Sequence, residues 1–356
     1  MKKILEQPLE LFPQEDQSLA VFYGQYTRER IVEIAQSFGF TLDEERNKSA
    51  CAKQLADLVL AHPEEVLERL TCYELETFLD VMDARKSCGV LSIELPCFLP
   101  VKAAGLVAEQ AVSGKRGHVH YSAFDEVVTV YRPLVADVLE QKTAKGYADI
   151  GVVALGILNL YGCVESESFI DLIYEKMRRR YRKKTIVTFL QTANLFFEGS
   201  FVMDYEDREV EFYASPYLNK DDIGLMMNRI DSLWDVQRKE TFSIEEITSF
   251  GQLPYPVFNL HYTPAMEALL HDELECSKKQ TQYIMALLWQ QMQLETCGDE
   301  FQRLAKLIQR YFKEDYDQRF NIVYSWLYSL PLWELKGNAR NETHPNVLSR
   351  LQRNDL

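Results

Sequence analysis

Several of the short motifs by which function is usually recognised are missing from this sequence. Its 15 glycines in 356 residues form no G-x-G-x-x-G pattern. The triplet Ser113-Gly114-Lys115 lacks both the upstream glycine and the following Ser or Thr of a phosphate-binding loop. A G-x-S-x-G nucleophile elbow is also missing. These absences exclude motif-borne catalysis, but not a site assembled from distant residues, such as a Cys–His pair.

Cysteine pairs and long apolar runs are missing as well. The seven cysteines are scattered and never spaced as C-x-x-C, which predicts reduced, mostly buried thiols without a zinc or disulfide framework. No run reaches the roughly 18 apolar residues of a membrane span. The residues before Pro8 are too few for the apolar core of a signal peptide. We therefore expect a cytoplasmic protein with no cofactor and no membrane partner.

Basic residues are in deficit, with 39 Lys and Arg against 54 Asp and Glu, for a net charge of −15. A surface of that sign cannot hold a polyanion over its whole extent, because phosphate binding depends on Lys and Arg. The acid excess favours solubility, and it favours a protein partner over nucleic acid. The net negative charge does not exclude one local basic site. The rest of the composition, 47% hydrophobic and 26% charged, is ordinary for a folded chain of two or three domains.

The apolar residues repeat mostly with helical spacing. Ile31, Ile34, Ala35 and Phe38 lie at i, i+3, i+4 and i+7, which predicts one helix face, and Gly39 is a typical helix end. Similar patterns predict helices over residues 55–59, from residue 63 to residue 82, over 148–163, over 166–177 and beyond residue 221. The predicted fold class is mainly α, a helical protein of several modules.

Two segments predict β-hairpins that follow helices. Short strands at residues 105–107 and 119–121 flank a polar turn, and strands at 201–203 and 210–213 flank a charged turn. Helices closed by a hairpin are the ingredients of a winged helix-turn-helix, although short hairpins also cap helices in proteins that bind no DNA. The predicted modules are an extended lead-in (1–20), a helical module (21–84), two winged-helix-like units (85–145 and 146–220), a C-terminal helical domain (221–337) and a polar tail (338–356).

Part of the chain resembles a known helical module. Residues 26–40 (YTRERIVEIAQSFGF), with Asn47-Lys48 and Gln54-Leu55-Ala56, resemble the N-terminal-like helical domain of Rho termination factor, which is related in form to SAP modules. Residues 156–164 (GILNLYGCV) and 331–337 (PLWELKG) are similar to segments of uncharacterised bacterial proteins that carry such a module, some of which end in a SEC-C zinc motif.

The resemblance implies a bacterial, cytoplasmic protein with a nucleic-acid-binding ancestor, and it implies no activity. The sequence departs from the pattern in two places. Residues 338–356 contain no cysteine, so the SEC-C metal site is absent. Between residues 26 and 70, nine acidic residues outnumber six basic ones, which makes that module a poor phosphate ligand.

The strongest local signal is a basic run at residues 176–184. Seven of its nine residues are cationic: Lys176, Arg178, Arg179, Arg180, Arg182, Lys183 and Lys184. It precedes a predicted helix at 185–197 that carries Gln191 and Asn194, whose amides can pair with adenine. The run predicts a nucleic-acid or partner site with phosphate contacts from the cations. Alternatively, it is a solvated helix end whose cations complement the helix dipole, or a contact for acidic surface of the same chain.

Two weaker candidates lie near the first hairpin. Lys115 and Arg116 in its turn would be a wing that contacts phosphate, or an ordinary exposed turn. His118 and His120 would share one face of a strand, as paired metal ligands do, but the pattern is far more typical of surface or packing histidines. Since no third and fourth ligand is fixed, we predict no metal site.

The C-terminal half is rich in aromatic residues. With helical spacing they are typical of a core, or of a partner-binding groove if they are exposed. The set comprises Trp289, Tyr311, Tyr316, Phe320, Tyr324, Trp326, Tyr328 and Trp333.

These observations predict a non-enzymatic interaction or regulatory protein with a macromolecular partner, either nucleic acid or protein. The alternatives are an adaptor that binds only protein and an enzyme, for instance a metal-dependent nuclease, with an unrecognised site. The sequence does not indicate the oligomeric state.

Overall fold

A computed structural model of the chain describes residues 18–43, 47–84, 88–91, 101, 104–111, 118–193, 200–205, 208–218, 220–232, 242–253, 255–293 and 299–340. The prediction of a mainly helical protein is confirmed, with two small antiparallel sheets. The chain divides into two compact units. The N-terminal unit comprises Lys2–Gly151 and Tyr181–Gly199, and the C-terminal unit comprises Val152–Arg180 and Ser200–Leu356.

The elements up to the unit boundary near residue 151 are as follows: α1 (Leu19–Tyr23), α2 (Arg28–Ser37), α3 (Lys48–Ala61), α4 (Pro63–Glu68), α5 (Cys72–Ala84), β1 (Cys88–Leu91), β2 (Val107–Ala111), β3 (His118–Ala123), α6 (Asp125–Ala144) and α7 (Tyr147–Tyr161). The later elements are β4 (Cys163–Glu165), α8 (Ser166–Lys176), α9 (Lys183–Thr192), β5 (Ser200–Tyr205), β6 (Arg208–Ala214), α10 (Lys220–Ser232), α11 (Ile244–Phe250), α12 (Thr263–Ala268), a π-helical turn (Leu269–Glu273), α13 (Lys278–Gln293), α14 (Asp299–Tyr311) and α15 (Tyr316–Tyr328).

Side-chain caps fix the helix boundaries of the N-terminal module. Thr27 accepts a hydrogen bond from the Arg30 N–H at the start of α2, and Asn47 accepts one from the Ala50 N–H at the start of α3. Gly39 follows α2 with φ +81°, as predicted from its place in the sequence. Ile31, Ile34 and Ala35 lie on the buried face of α2.

One predicted helix is in fact two. The apolar pattern continues from residue 63 to residue 82, but α4 ends at Glu68 and α5 begins after Thr71. A buried capping box causes the break: the Thr71 N–H donates to Glu74 Oε2 at 2.7 Å, and the Glu74 N–H donates to Thr71 Oγ1 at 3.4 Å. The prediction of a continuous helix was wrong because periodicity alone does not detect a cap.

The longest described helix, α6, was not predicted. It runs for 20 residues and contains Pro133 in its interior, a residue that normally ends or kinks a helix. Its buried face carries Val127, Tyr131 and Val135. The Tyr131 hydroxyl donates to the Val59 carbonyl at 2.6 Å, which joins α6 to α3 in the core of this unit.

The two sheets have the same strand order. In the first, β3 lies between β1 and β2, and in the second, β6 lies between β4 and β5, with all pairs antiparallel. Both predicted hairpins are therefore present, as β2–β3 and β5–β6. The third strand of each sheet was not predicted, because β1 and β4 are short and their pairing depends on distant residues.

A buried polar network crosses the C-terminal unit. Asn159 on α7 donates to the Phe250 carbonyl at 2.8 Å and accepts from the Ser215 hydroxyl at 2.9 Å. The backbone carbonyl of Asn159 accepts the Trp333 indole N–H at 2.8 Å. Because a buried polar group is costly when unpaired, these bonds select one arrangement of the core.

Among the described residues, no helix combines the length and the apolar character that crossing a membrane would require.

Candidate functional site

The basic run forms the connection between α8 and α9. Six of its cations are exposed: Arg178, Arg179, Arg180, Arg182, Lys183 and Lys184. Lys176 differs, because it is half-buried in the last turn of α8 and its Nζ donates to the Phe242 carbonyl at 2.9 Å. Within the described chain, Arg178, Arg182 and Lys184 take part in no ion pair. These three cations are thus available to a partner, and we call residues 178–184 the cationic segment.

The backbone at the end of α8 adopts a left-handed turn. The Arg178 N–H donates to the Glu175 carbonyl and the Arg179 N–H to the Tyr174 carbonyl, both at 2.9 Å. These are the two bonds of a Schellman helix end. Arg178 has φ +51° and Arg179 has φ +60°, a conformation in which a residue with a Cβ loses about 1–2 kcal/mol. Glycine usually occupies the Arg178 position.

The Arg179 side chain is oriented by an aromatic ring. Its guanidinium carbon lies 5.8 Å from the centre of the Tyr174 ring. A hydrophobic contact commonly joins these two positions of a Schellman turn, and here a cation–π contact takes its place. Arg179 nevertheless stays exposed.

Tyr181 anchors the N-terminal unit's part of the segment. Its hydroxyl donates to Asp149 Oδ2 at 2.9 Å. Its ring lies on Gly146, where an added Cβ would be 2.1 Å from Tyr181 Cε1. The only aromatic residue of the basic run therefore packs against the protein through its contact with Gly146.

The start of α9 lacks the usual features of a helix N-terminus. Arg182 occupies the N-cap position without a side-chain cap, and the first turn contains no acidic residue. Arg182, Lys183 and Lys184 instead place positive charge at the positive end of the helix dipole, which is unfavourable for the isolated helix. A favourable interaction with the helix dipole therefore explains why Lys176 lies at the end of α8. It does not explain the positions of Arg182, Lys183 and Lys184.

One face of α9 is apolar and the opposite face is polar. Ile186, Phe189 and Leu190 are buried. Lys184, Thr188 and Gln191 lie at i, i+4 and i+7 and are exposed. Gln191 therefore stands on the open face together with Lys184, as its predicted role requires. Asn194 lies outside the described residues.

The candidates near the first hairpin are only partly described. Lys115 and Arg116 lie outside the described residues. The backbone of His118 and His120 belongs to β3, so alternate positions of that strand share a face. Among the groups that the structure describes, no cluster of three or more His, Cys, Asp or Glu could hold a metal ion.

The aromatic set of the C-terminal half is divided between core and surface. Trp289, Trp326 and Trp333 are fully buried, whereas Tyr311 and Tyr324 are 65% and 36% exposed. Tyr324 belongs to a row of rings along α15. Adjacent ring centres in that row are 4.9–6.0 Å apart, and its members are Tyr316, Phe320, Tyr324 and Tyr328.

Comparison with family models, with curated proteins and with solved structures found no match to this chain. The resemblance of residues 26–40 to the Rho N-terminal-like module stays a prediction.

Proposed function

We propose that this protein binds nucleic acid through the cationic segment, residues 178–184. The observation that carries the proposal is six exposed cations in seven consecutive residues of a chain whose net charge is −15. Such a segment concentrates positive potential where phosphates can reach it, while the acidic remainder repels polyanions from other surfaces.

The backbone conformation of Arg178 supports a functional role for its side chain. A glycine would make the same turn without the steric cost of a Cβ in the left-handed region. Strained residues cluster at binding sites, where an interaction compensates for the strain. Arginine at this position is readily explained if its guanidinium binds a ligand.

The exposed face of α9 favours nucleic acid over an acidic protein. Gln191 offers both an amide donor and an acceptor, which is the pair needed to recognise an adenine edge in the major groove. Lys184 and Thr188, on the same face, are suited to phosphate contacts. An acidic protein partner would be bound by the cations alone, and the amide of Gln191 would have no role in binding it.

The exposed face of α9 and the cationic segment would divide the contacts between them. Gln191 would contact base edges in the major groove, and the cationic segment would contact the phosphate backbone.

The mechanism would rest mainly on the arginines. A guanidinium binds phosphate in a bidentate manner and remains charged at every physiological pH. The N–H groups at the start of α9 would add favourable contacts to a phosphate, because a helix N-terminus attracts anions. Six phosphate contacts would make the logarithm of the binding constant fall with the logarithm of salt concentration with a slope of about −5.

The test is fluorescence anisotropy with a labelled DNA duplex at salt concentrations from about 50 to about 200 mM. The variant changes Arg178, Arg179, Arg180 and Arg182 to Ala. A matched control removes four exposed cations elsewhere, Lys53, Lys306, Arg310 and Lys313, and so has the same net charge. We expect the arginine variant to lose most of its affinity and to have a slope shallower by about 3–4, while the control changes little.

Two results would count against the proposal. One is no binding of the unmodified protein at the lowest salt concentration, and the other is equal affinity for the arginine variant and the control. Poly-L-glutamate is titrated in parallel. If it bound more tightly than the duplex, with the same dependence on the arginines, the segment would instead be assigned to an acidic protein partner.

A further inference from the structure

The C-terminal unit contains a cavity of about 280 Å³ beside α11. Phe242, Phe250 and Pro331 contribute apolar walls, and Glu246, Ser249 and Ser329 contribute polar atoms. The volume is close to the lower end of the range for small-molecule sites, which combine apolar walls with a few polar groups.

Each of the two serine hydroxyls of the cavity uses its proton in a hydrogen bond within the protein. Ser249 Oγ donates to the Glu246 carbonyl at 2.8 Å, and Ser329 Oγ donates to the Trp326 carbonyl at 2.7 Å. A hydroxyl has a single proton and two lone pairs. Toward a ligand, each serine can therefore act only as an acceptor.

Glu246 adds a negative charge and further acceptor capacity. Its Oε2 accepts the Ser243 N–H at 2.7 Å in the capping box of α11, which fixes the side chain. An ionised carboxylate has about four acceptor sites, so most of them are still available. Asn259 supplies one amide and His261 one imidazole, and the described lining contains neither Lys nor Arg.

The geometry points to a ligand that is rich in donors and positively charged. We propose that this cavity binds a small organic cation, an alkylammonium or guanidinium group with a short apolar body. The N–H groups donate to the Glu246 carboxylate and to the Ser249 and Ser329 oxygens. The apolar body packs against Pro331 and the rings of Phe242 and Phe250, whose faces also attract cations. The cation is a free amine or a Lys or Arg side chain of another protein.

The test is a two-dimensional NMR titration of the full chain with n-butylammonium, with n-butanol as the uncharged probe of the same length. We expect butylammonium to shift amide resonances of α11 and of Ser329 with a dissociation constant in the millimolar range, about tenfold tighter than butanol. A pentapeptide with one central lysine separates the two sources. Tighter binding of the peptide assigns a protein side chain, and equal or weaker binding assigns a free amine.

Two glutamate variants make the test specific. Glu246→Gln keeps the capping hydrogen bond, since Gln also completes a capping box, but removes the charge. Glu245→Gln removes one charge from the same helical turn outside the described lining of the cavity. We expect E246Q to weaken butylammonium binding about tenfold at an unchanged melting temperature, and E245Q to bind like the unmodified protein.

The proposal is overturned if butylammonium produces no shifts at these residues, or if E246Q binds it as well as E245Q does. It is independent of the cationic segment, because residues 178–184 do not line this cavity. Nucleic-acid binding and cation binding can therefore hold or fail separately.

Discussion

Two helices of this chain end in the same hydrogen-bonded turn, but one turn is built on glycine and the other on arginine. At the end of α2, the Gly39 N–H donates to the Gln36 carbonyl and the Phe40 N–H donates to the Ala35 carbonyl, both at 2.9 Å. At the end of α8, Arg178 and Arg179 make the corresponding bonds at the same distance. Gly39 has φ +81° and Arg178 has φ +51°.

The comparison separates the backbone conformation that the turn requires from the side chain that is exposed at the surface. The turn needs a residue with positive φ, and glycine meets that need with less strain. Arginine adds nothing to the turn, so its contribution lies in the side chain that it exposes. The same contrast holds at helix starts, since Thr27 and Asn47 cap α2 and α3, whereas Arg182 leaves α9 uncapped.

The largest expected effect comes from a third helix end, at Gly146. Gly146 has φ +79°, and an added Cβ would meet the Tyr181 ring. Gly146→Ala combines backbone strain with displacement of that ring, so we expect a loss of about 3 kcal/mol in the free energy of unfolding. Gly224→Ala is the control, because Gly224 lies inside α10 with open space around it. It should stabilise the protein by about 0.5–1 kcal/mol, and chemical unfolding measures both.

The second prediction concerns the capped start of α5. Burial raises the pKa of Glu74 to about 8 and lowers the pKa of Lys142 to about 8. The pKa of Glu74 is higher in the folded chain than its ordinary value of 4.5. The contribution of Glu74 to stability is therefore complete below pH 4.5 and is lost as the pH rises to about 8. The pKa of Lys142 is lower in the folded chain, so its contribution is lost as the pH falls from 10.5 to about 8.

The stability of the N-terminal unit should therefore pass through a minimum near pH 8, with limbs no steeper than about 1.4 kcal/mol per pH unit. Unfolding experiments across pH measure this profile. Glu74→Gln should flatten the acidic limb and Lys142→Met the alkaline limb. A profile that is unchanged by both variants would show that neither group titrates in this range.

The third prediction supplies the cap that α9 lacks. Arg182 has φ −69° and ψ 145°, close to the values of Thr27 and Asn47, so a serine there could accept the Thr185 N–H. Arg182→Ser should stabilise the protein by about 1 kcal/mol and should weaken duplex binding by removing one phosphate contact. Arg182→Ala is the control that removes the charge without adding a cap. Equal free energies of unfolding for the two variants would show that the missing cap does not destabilise α9.

The features that could be predicted from sequence are those that local patterns determine. The buried face of α2 and its end at Gly39 follow from the spacing of Ile31, Ile34 and Ala35 and from the presence of a glycine. The exposure of the cationic segment follows from the cost of burying charge. The hairpins β2–β3 and β5–β6 follow from apolar residues on either side of polar turns.

The features that could not be predicted depend on distant residues or on exceptions to local rules. Helix α6 forms although Pro133 lies inside it, because Tyr131 and its neighbours pack into the core. The left-handed turn at Arg178 has no signal in the sequence, since arginine is not a typical residue for that conformation. The cavity beside α11 is formed by residues as far apart as Phe242 and Ala339, whose proximity no local pattern reveals.

The central claim is that the Arg178 side chain serves binding at a cost in stability. Its most direct test measures the free energy of unfolding and the duplex affinity of Arg178→Gly, with Arg178→Ala as the control. The account predicts that R178G is more stable than R178A by about 1 kcal/mol, since only glycine relieves the strain, and that both bind the duplex more weakly than the unmodified protein. An R178G protein that gains stability and keeps its full affinity would contradict the account.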